Sequence, residues 1–333
     1  MTKLLAASIL AGIIAAIAFA SATTGPAFTR FLLFLVTPLP IFMVGLGIGW
    51  RAAAISAAAG GITLALLGNI QIGALFTVSQ MIPGVILSYL ALLNRPITDD
   101  AGRPAVEWYP VGRLILWASG IGSGIAITTL ALLGNSMDRL REELRGLIEK
   151  FMTAQLEAMG DGQSLKPEDL DRITDVALQM LPAIMAISVM GALLFNLWLA
   201  GRIARAAGQL TRPWPDLAAF TFPPLTQVAF AVALGVGFIS GTIGLMGSAV
   251  AGSLFFAYIL MGLAIIHYTS RGNAWRWVIL WLVYFSLIFA NGITLLIALL
   301  GVLERFSPIR RDFIKPRGGT PPPPPGPTGG PPP

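Results

Sequence analysis

The sequence predicts an all-α, polytopic transmembrane helical bundle of eight or nine helices. Three observations carry that reading. Apolar residues make up 55% of the 333, and the mean hydropathy is +0.77. Charged residues make up only 11%, where a soluble domain carries about 25%. The apolar residues are gathered into runs of about 20, the length that crosses a hydrocarbon core of about 30 Å. The runs show no two-residue alternation. Only helices or closed barrels satisfy backbone polar groups in lipid, so these runs are helices.

The runs cover residues 4–22, 31–49, 52–68, 72–93, 111–134, 176–200, 223–240, 242–267 and 274–301. Lys3 ahead of the first run has the look of a signal peptide. The run is longer than a signal core and a second follows closely, so it reads as a retained first helix. The second run is interrupted by Pro38-Leu39-Pro40. Proline removes a backbone donor and restricts the residue before it, so residues 37–40 are expected to be unwound. Two half-helices meet there, or only the second half enters the membrane; hence a count of eight or nine.

Four regions follow: membrane helices over 1–134, a polar insert over 135–175, further membrane helices over 176–301, and a tail over 302–333. The insert places Met137, Leu140, Leu144, Leu147, Ile148, Phe151 and Met159 at three- and four-residue spacings, one apolar stripe on a charged helix. Lys166-Pro167-Glu168 starts a second helix with proline in its first turn. The insert reads as an amphipathic hairpin on the headgroups or the protein's own loops, or as a docking surface for a partner. After Pro316 the tail is Gly and Pro apart from Arg317, Thr320 and Thr328. It has nothing to build a core from and is expected to be extended and disordered.

Arginines suggest an orientation. With nine crossings, Lys3, Arg51, Arg95, Arg103, Arg113, Arg202, Arg205, Arg212, Arg271 and Arg276 share one side. Short loops with that bias are cytoplasmic, which puts the N-terminus inside. Nine crossings also send the tail to the other side, although it carries Arg305, Arg310, Arg311, Lys315 and Arg317. The net charge of +6 therefore reads as topology and headgroup contact rather than nucleic-acid binding.

The sequence shows no catalytic constellation. It has no Walker loop, no GxSxG elbow and no HExxH helix. It has no cysteine and a single histidine, His267, so no zinc or haem site is expected, and no cofactor. Carboxylates lie almost wholly outside the runs, which argues against proton-coupled transport. The neutral polar groups inside the runs are Gln80, Gln179, Asn196, Gln227 and Asn291, with His267 at a helix end. They serve either as hydrogen bonds between helices or as pocket lining. Pro38, Pro40, Gln80, Asn196 and Asn291 are the candidates for a pocket or helix break. Ala7, Ala11 and Ala15, beside Ser8 and Gly12, are the candidate helix-docking face.

Several landmarks occur in order. Pro38-Leu39-Pro40 is followed by Gly45-Leu46-Gly47-Ile48-Gly49, Ile82-Pro83-Gly84, and Leu181-Pro182-Ala183-Ile184 leading to Asn196. Phe222-Pro223 follows a basic loop. Then come Met261-Gly262-Leu263-Ala264-Ile265-Ile266-His267-Tyr268, and Leu300-Gly301 ahead of Arg310-Arg311. In this the chain resembles the YybS-like family of predicted multipass membrane proteins, a domain of unknown function. That family is distantly similar to the substrate-binding S components of energy-coupling-factor transporters. The similarity implies an S-component-like core in the bacterial inner membrane, and a scaffold protein and two ATPases as partners. The small-residue face of the first helix would then meet the scaffold. The insert, the tail and about three additional helices depart from that pattern.

Two functions follow from the sequence. The first is a non-enzymatic membrane protein that binds or moves a small solute. The second is a membrane scaffold that recruits partners through residues 135–175 and the tail.

Overall fold

A computed structural model describes residues 2–22, 26–99, 102–133, 137–158, 166–290, 292–307 and 309–310. The expected helices are there. The N-terminal group is α1 (Thr2–Ser21), α2 (Ala27–Val36), α3 (Leu39–Gly47), α4 (Trp50–Leu67), α5 (Ile70–Phe76) and α6 (Ile82–Leu92). Then come α7 (Val111–Leu133), α8 (Met137–Ala158), α9 (Pro167–Ala206), α10 (Leu225–Gly237), α11 (Thr242–Thr269), α12 (Arg276–Phe289) and α13 (Ile293–Leu303). Among the described residues, seven apolar stretches are long enough to cross a membrane by themselves; α2 and α3 count as one, as do α5 and α6.

Small residues set the helix directions, because they let backbones touch. A methyl group on Gly12 would run into the backbone of Ser56 and Gly60, and the Ser56 hydroxyl donates to the Ser8 carbonyl at 2.6 Å. The register rises together along both helices, so α1 and α4 are parallel and α2–α3 must cross between them. Likewise Ser248 of α11 donates to the Gln179 carbonyl of α9 at 3.3 Å, Gly252 lies on Ala183, and Gly191 on Phe256. α9 and α11 are therefore parallel, and α10 makes the return crossing although its 13 residues span only about 20 Å. The hydroxyls of Ser119 and Ser123 on α7 meet Ser253 of α11 at 2.8 and 2.7 Å. These buried serines hold two helices close and satisfy one another's polar atoms.

The proline break falls between α2 and α3 but is narrower than the unwound 37–40 expected: Leu39 and Pro40 are in α3, and Thr37 and Pro38 keep helical dihedrals. Thr37, fully buried there, donates to the Leu33 carbonyl at 2.7 Å. Pro83 leaves a similar mark: the missing donor widens Thr77–Met81 into a π turn that joins α5 to α6.

The last apolar run differs from the expectation of one helix over 274–301. It forms two helices, α12 ending at Phe289 and α13 starting at Ile293. The turn after α11 delivers Arg276, the Tyr284 hydroxyl reaches His267 in the last turn of α11, and Ile293 joins the apolar cluster that holds Ile266. α12 thus runs along the end of α11 rather than through the bilayer, and none of its residues is buried in the protein. α13 then descends antiparallel to α11. A methyl on Gly262 would collide with the Ile297 carbonyl, and one on Gly301 with the Tyr258 carbonyl. Its 11 residues reach about 16 Å, half a bilayer. The chain then turns back, and Arg310 donates to the carbonyls of Ala218 and Phe220 at 2.9 and 3.0 Å. Arg310 consequently lies against the connection at the arginine-bearing face, not at the opposite one. For Arg310 this removes the conflict with the charge of the other loops. The remainder of the tail, 311–333, lies outside the described residues.

At the opposite face, α9 extends beyond the membrane and α8 folds back along it. Arg141 pairs with Asp175 at 2.8 Å and Arg145 with Asp171 at 2.9 Å. The α8 stripe divides: Leu140, Leu144 and Ile148 are half-buried, while Leu147 and Phe151 are exposed. At the arginine face, β1 (Asn94–Thr98) and β2 (Pro104–Trp108) form an antiparallel hairpin absent from the sequence expectation.

Candidate ligand cavities at the arginine-bearing face

The connection between α9 and α10, residues 207–224, lies over the ends of the helices and is held by cations. Arg212 donates to the carbonyls of Ala91 and Tyr109 at 2.9 and 3.0 Å, tying the connection to α6 and the start of α7. Burial lowers the pKa of its guanidinium from the ordinary value. The Arg212 guanidinium also stands over the Trp108 ring of β2 at 5.9 Å. Trp214 takes Arg202 and Arg205 at 5.7 and 5.6 Å from its ring centre. Asp216 accepts both arms of Arg271, one at 2.8 Å. That hydrogen bond holds the Asp216 carboxyl below the usual carboxylate range, and the Arg271 guanidinium is raised in turn.

Beneath this roof is a chamber of about 630 Å³. Its walls are Leu46 of α3, Ala91 and Leu92 of α6, Leu114 and Ile115 of α7, Leu197, Trp198 and Gly201 of α9, and Leu260 and Ala264 of α11. The lining is largely apolar, with Arg212, His267 and Tyr284 contributing polar groups. Nδ1 of His267 donates to the Leu263 carbonyl at 3.0 Å, since a carbonyl only accepts. This leaves Nε2 to accept from the Tyr284 hydroxyl at 3.4 Å. Both the size and the apolar lining with a few polar groups are those of small-molecule sites.

A second recess of about 600 Å³ adjoins the same connection on the α13 side. Thr221, Gln227, Tyr258, Tyr268, Glu304, Arg305 and Arg310 contribute polar groups to it. Glu304 pairs with Arg310 at 2.7 Å, with side chains 12% and 7% exposed. Gln227 donates to the Val302 carbonyl at 3.1 Å. Among the described residues, no three His, Asp or Glu side chains gather as a metal ion would require.

A family model described as "predicted membrane protein (DUF2232)" matches residues 13–304, nearly the whole membrane region. The chain belongs to this family. No curated protein and no solved structure matches it. The family match takes in the chamber and the recess as far as Glu304, and Arg305 and Arg310 follow it.

Within this DUF2232 chain, the residues picked out from sequence fall in several places. Asn196 is fully buried, and its amide donates to the Leu35 and Ala192 carbonyls, each at 2.7 Å. It therefore binds the backbone at the proline break. Its Oδ1 has no partner among the described residues, and it lines neither cavity. Pro38 is buried and Pro40 half-buried at the same junction. Gln80 is buried in the π turn, on neither cavity wall. Asn291 lies outside the described residues. Ala11 and Ala15 are buried on the face of α1 that meets α4, and Ala7 is exposed.

The residues missed from sequence are those of the connection, Arg212, Trp214 and Asp216, and those of the recess, Tyr258, Glu304 and Arg310. One signal was available. Asn291-Gly292 is a turn dipeptide inside the last apolar run. It marks a break that makes the remaining helix too short to cross and brings Glu304 and Arg310 back to the basic face.

Proposed function

We propose that the protein has no catalytic activity of its own and binds a small, largely apolar solute in the chamber below residues 207–224. In this reading the connection is the gate, held shut by Arg212 and the Asp216–Arg271 pair. Passage across the membrane would depend on partners that hydrolyse ATP, as for S components in the bacterial inner membrane. The observation that carries the proposal is the 630 Å³ apolar chamber beneath a roof fastened by charged and cation–π contacts. Binding of a vitamin and lipid-metabolite panel, read by thermal stabilisation of the detergent-purified protein, tests it. At 100 times Kd a ligand stabilises by about 2.7 kcal/mol. Leu217→Trp, on an exposed chamber residue of the roof, should abolish the shift while leaving the unliganded midpoint in place. A panel with no hit, or a hit indifferent to Leu217→Trp, refutes the proposal.

A second reading, a scaffold, is favoured by the exposed Leu147 and Phe151 on the α8 hairpin. It requires that removing residues 136–175 abolish partner co-purification.

A further inference from the structure

The recess between residues 219–223, α11 and α13 contains two buried polar atoms that the protein does not satisfy. The Tyr258 side chain is 2% exposed and its hydroxyl has no partner. The ring is fixed by Phe222 and Phe230 at 5.6 and 5.3 Å between centres, so the unpartnered hydroxyl is not the result of a loose side chain. Glu304 uses Oε1 for Arg310 and leaves Oε2 bare. A buried polar atom without a partner costs about 1–3 kcal/mol, and two residues that line this one cavity each carry such an atom just beneath its surface. Such a pair marks a place where a ligand supplies the missing hydrogen bonds.

Charge selects among ligands. The walls hold Arg305, Arg310 and Glu304, one net positive charge. Arg305 is exposed and makes no ion pair among the described residues. A monoanion balances the walls; a cation adds to the excess, and a dianion leaves negative charge beside Glu304. Glu304 Oε2 accepts only, so the ligand must also bring an O–H or N–H donor. Beside the recess, Leu225, Val228, Leu303 and Phe306 expose apolar side chains suited to acyl chains.

We propose that this recess binds a monoanionic phosphodiester carrying free hydroxyls. The source is either the head of a glycerol-bearing phospholipid or the same group free in solution. Arg305 takes the phosphate oxygens, a ligand hydroxyl donates to Glu304 Oε2, and the Tyr258 hydroxyl donates to the ligand. The site is separate from the chamber and holds whether or not the chamber takes a solute.

The test uses the full chain, delipidated in detergent and titrated with short-chain phosphatidylglycerol, short-chain phosphatidylcholine and soluble glycerophosphoglycerol. Phosphatidylglycerol should bind at least about tenfold more tightly than phosphatidylcholine, whose head offers no donor. Tyr258→Phe, which removes one oxygen, and Arg305→Gln, on an exposed side chain, should each weaken it by about tenfold. If Tyr258→Phe does not fold, Arg305→Gln alone decides. Binding of glycerophosphoglycerol at similar strength supports the free phosphodiester, and binding of the lipid alone supports the membrane source. Equal binding of the two lipids, or wild-type affinity in both variants, overturns the proposal.

Discussion

Two helix ends, the α2–α3 junction and the foot of α13, bring polar groups into the protein interior and treat them in opposite ways. At the α2–α3 junction, Thr37 and Asn196 hydrogen-bond to the carbonyls of Leu33 and Leu35, and the atom left without a partner there, Asn196 Oδ1, belongs to a residue that lines neither cavity. At the end of α13, Glu304 and Tyr258 keep an atom each without a partner, and both residues line the recess. A break that its own side chains close is a way to bend a span. A break that leaves donors and acceptors facing a cavity has capacity left for something else. Proline in a hydrophobic run therefore does not by itself indicate a site; the accounting of polar atoms does.

Three substitutions probe that contrast. Gly262→Leu should have the largest effect, because the new side chain meets the Ile297 backbone and pushes α13 off α11. A loss of about 3 kcal/mol is expected, with new protease cleavage between α12 and α13. An unchanged melting midpoint would mean that α13 is not docked through Gly262. Asn196→Leu should cost about 2 kcal/mol by leaving the Leu35 carbonyl unserved, without altering affinity for any ligand of the chamber or recess. A change in affinity with unchanged stability would reverse the roles assigned to the two breaks.

The smallest effect concerns the roof that both cavities share. The folded-state pKa of Asp216 is depressed, first by its hydrogen bond to Arg271 and further by the backbone N–H of Ala218 and the charge of Arg310. A depressed carboxyl contributes stability above its unfolded value, about 3.9, and loses it as pH falls through the folded value. The roof should therefore stay fastened at neutral pH and loosen only in acid below about pH 4. Asp216→Asn should reproduce the loosening at pH 7, read as greater acrylamide quenching of Trp214. Equal quenching in the variant and the wild type would show that Arg212 and the tryptophan contacts suffice.

Most of the fold was legible because span length and hydropathy are enforced by the bilayer itself. The runs at 4–22, 52–68, 111–134 and 242–267 correspond to α1, α4, α7 and α11 within a few residues. The run at 274–301 was not legible by hydropathy, since α12 and α13 are both apolar and a run sum does not register a turn. The cavities were less legible still. Leu46, Leu197 and Leu260 look like any lipid-facing residues until tertiary packing makes them walls. Asn196 drew attention as a polar residue in a span, and its partners turned out to be backbone carbonyls. Tyr258 attracted none, because a tyrosine in an apolar helix looks ordinary until its hydroxyl is found without a partner.

The length of α9 has a mechanical consequence. Forty residues of one helix make a rod of about 60 Å, with the ion pairs to α8 near one end and Trp198 and Gly201 toward the other. A grip on the outer hairpin therefore applies leverage on the far side of the bilayer. Tilting that strut would shift the wall of the solute chamber directly, with no relay of side chains in between.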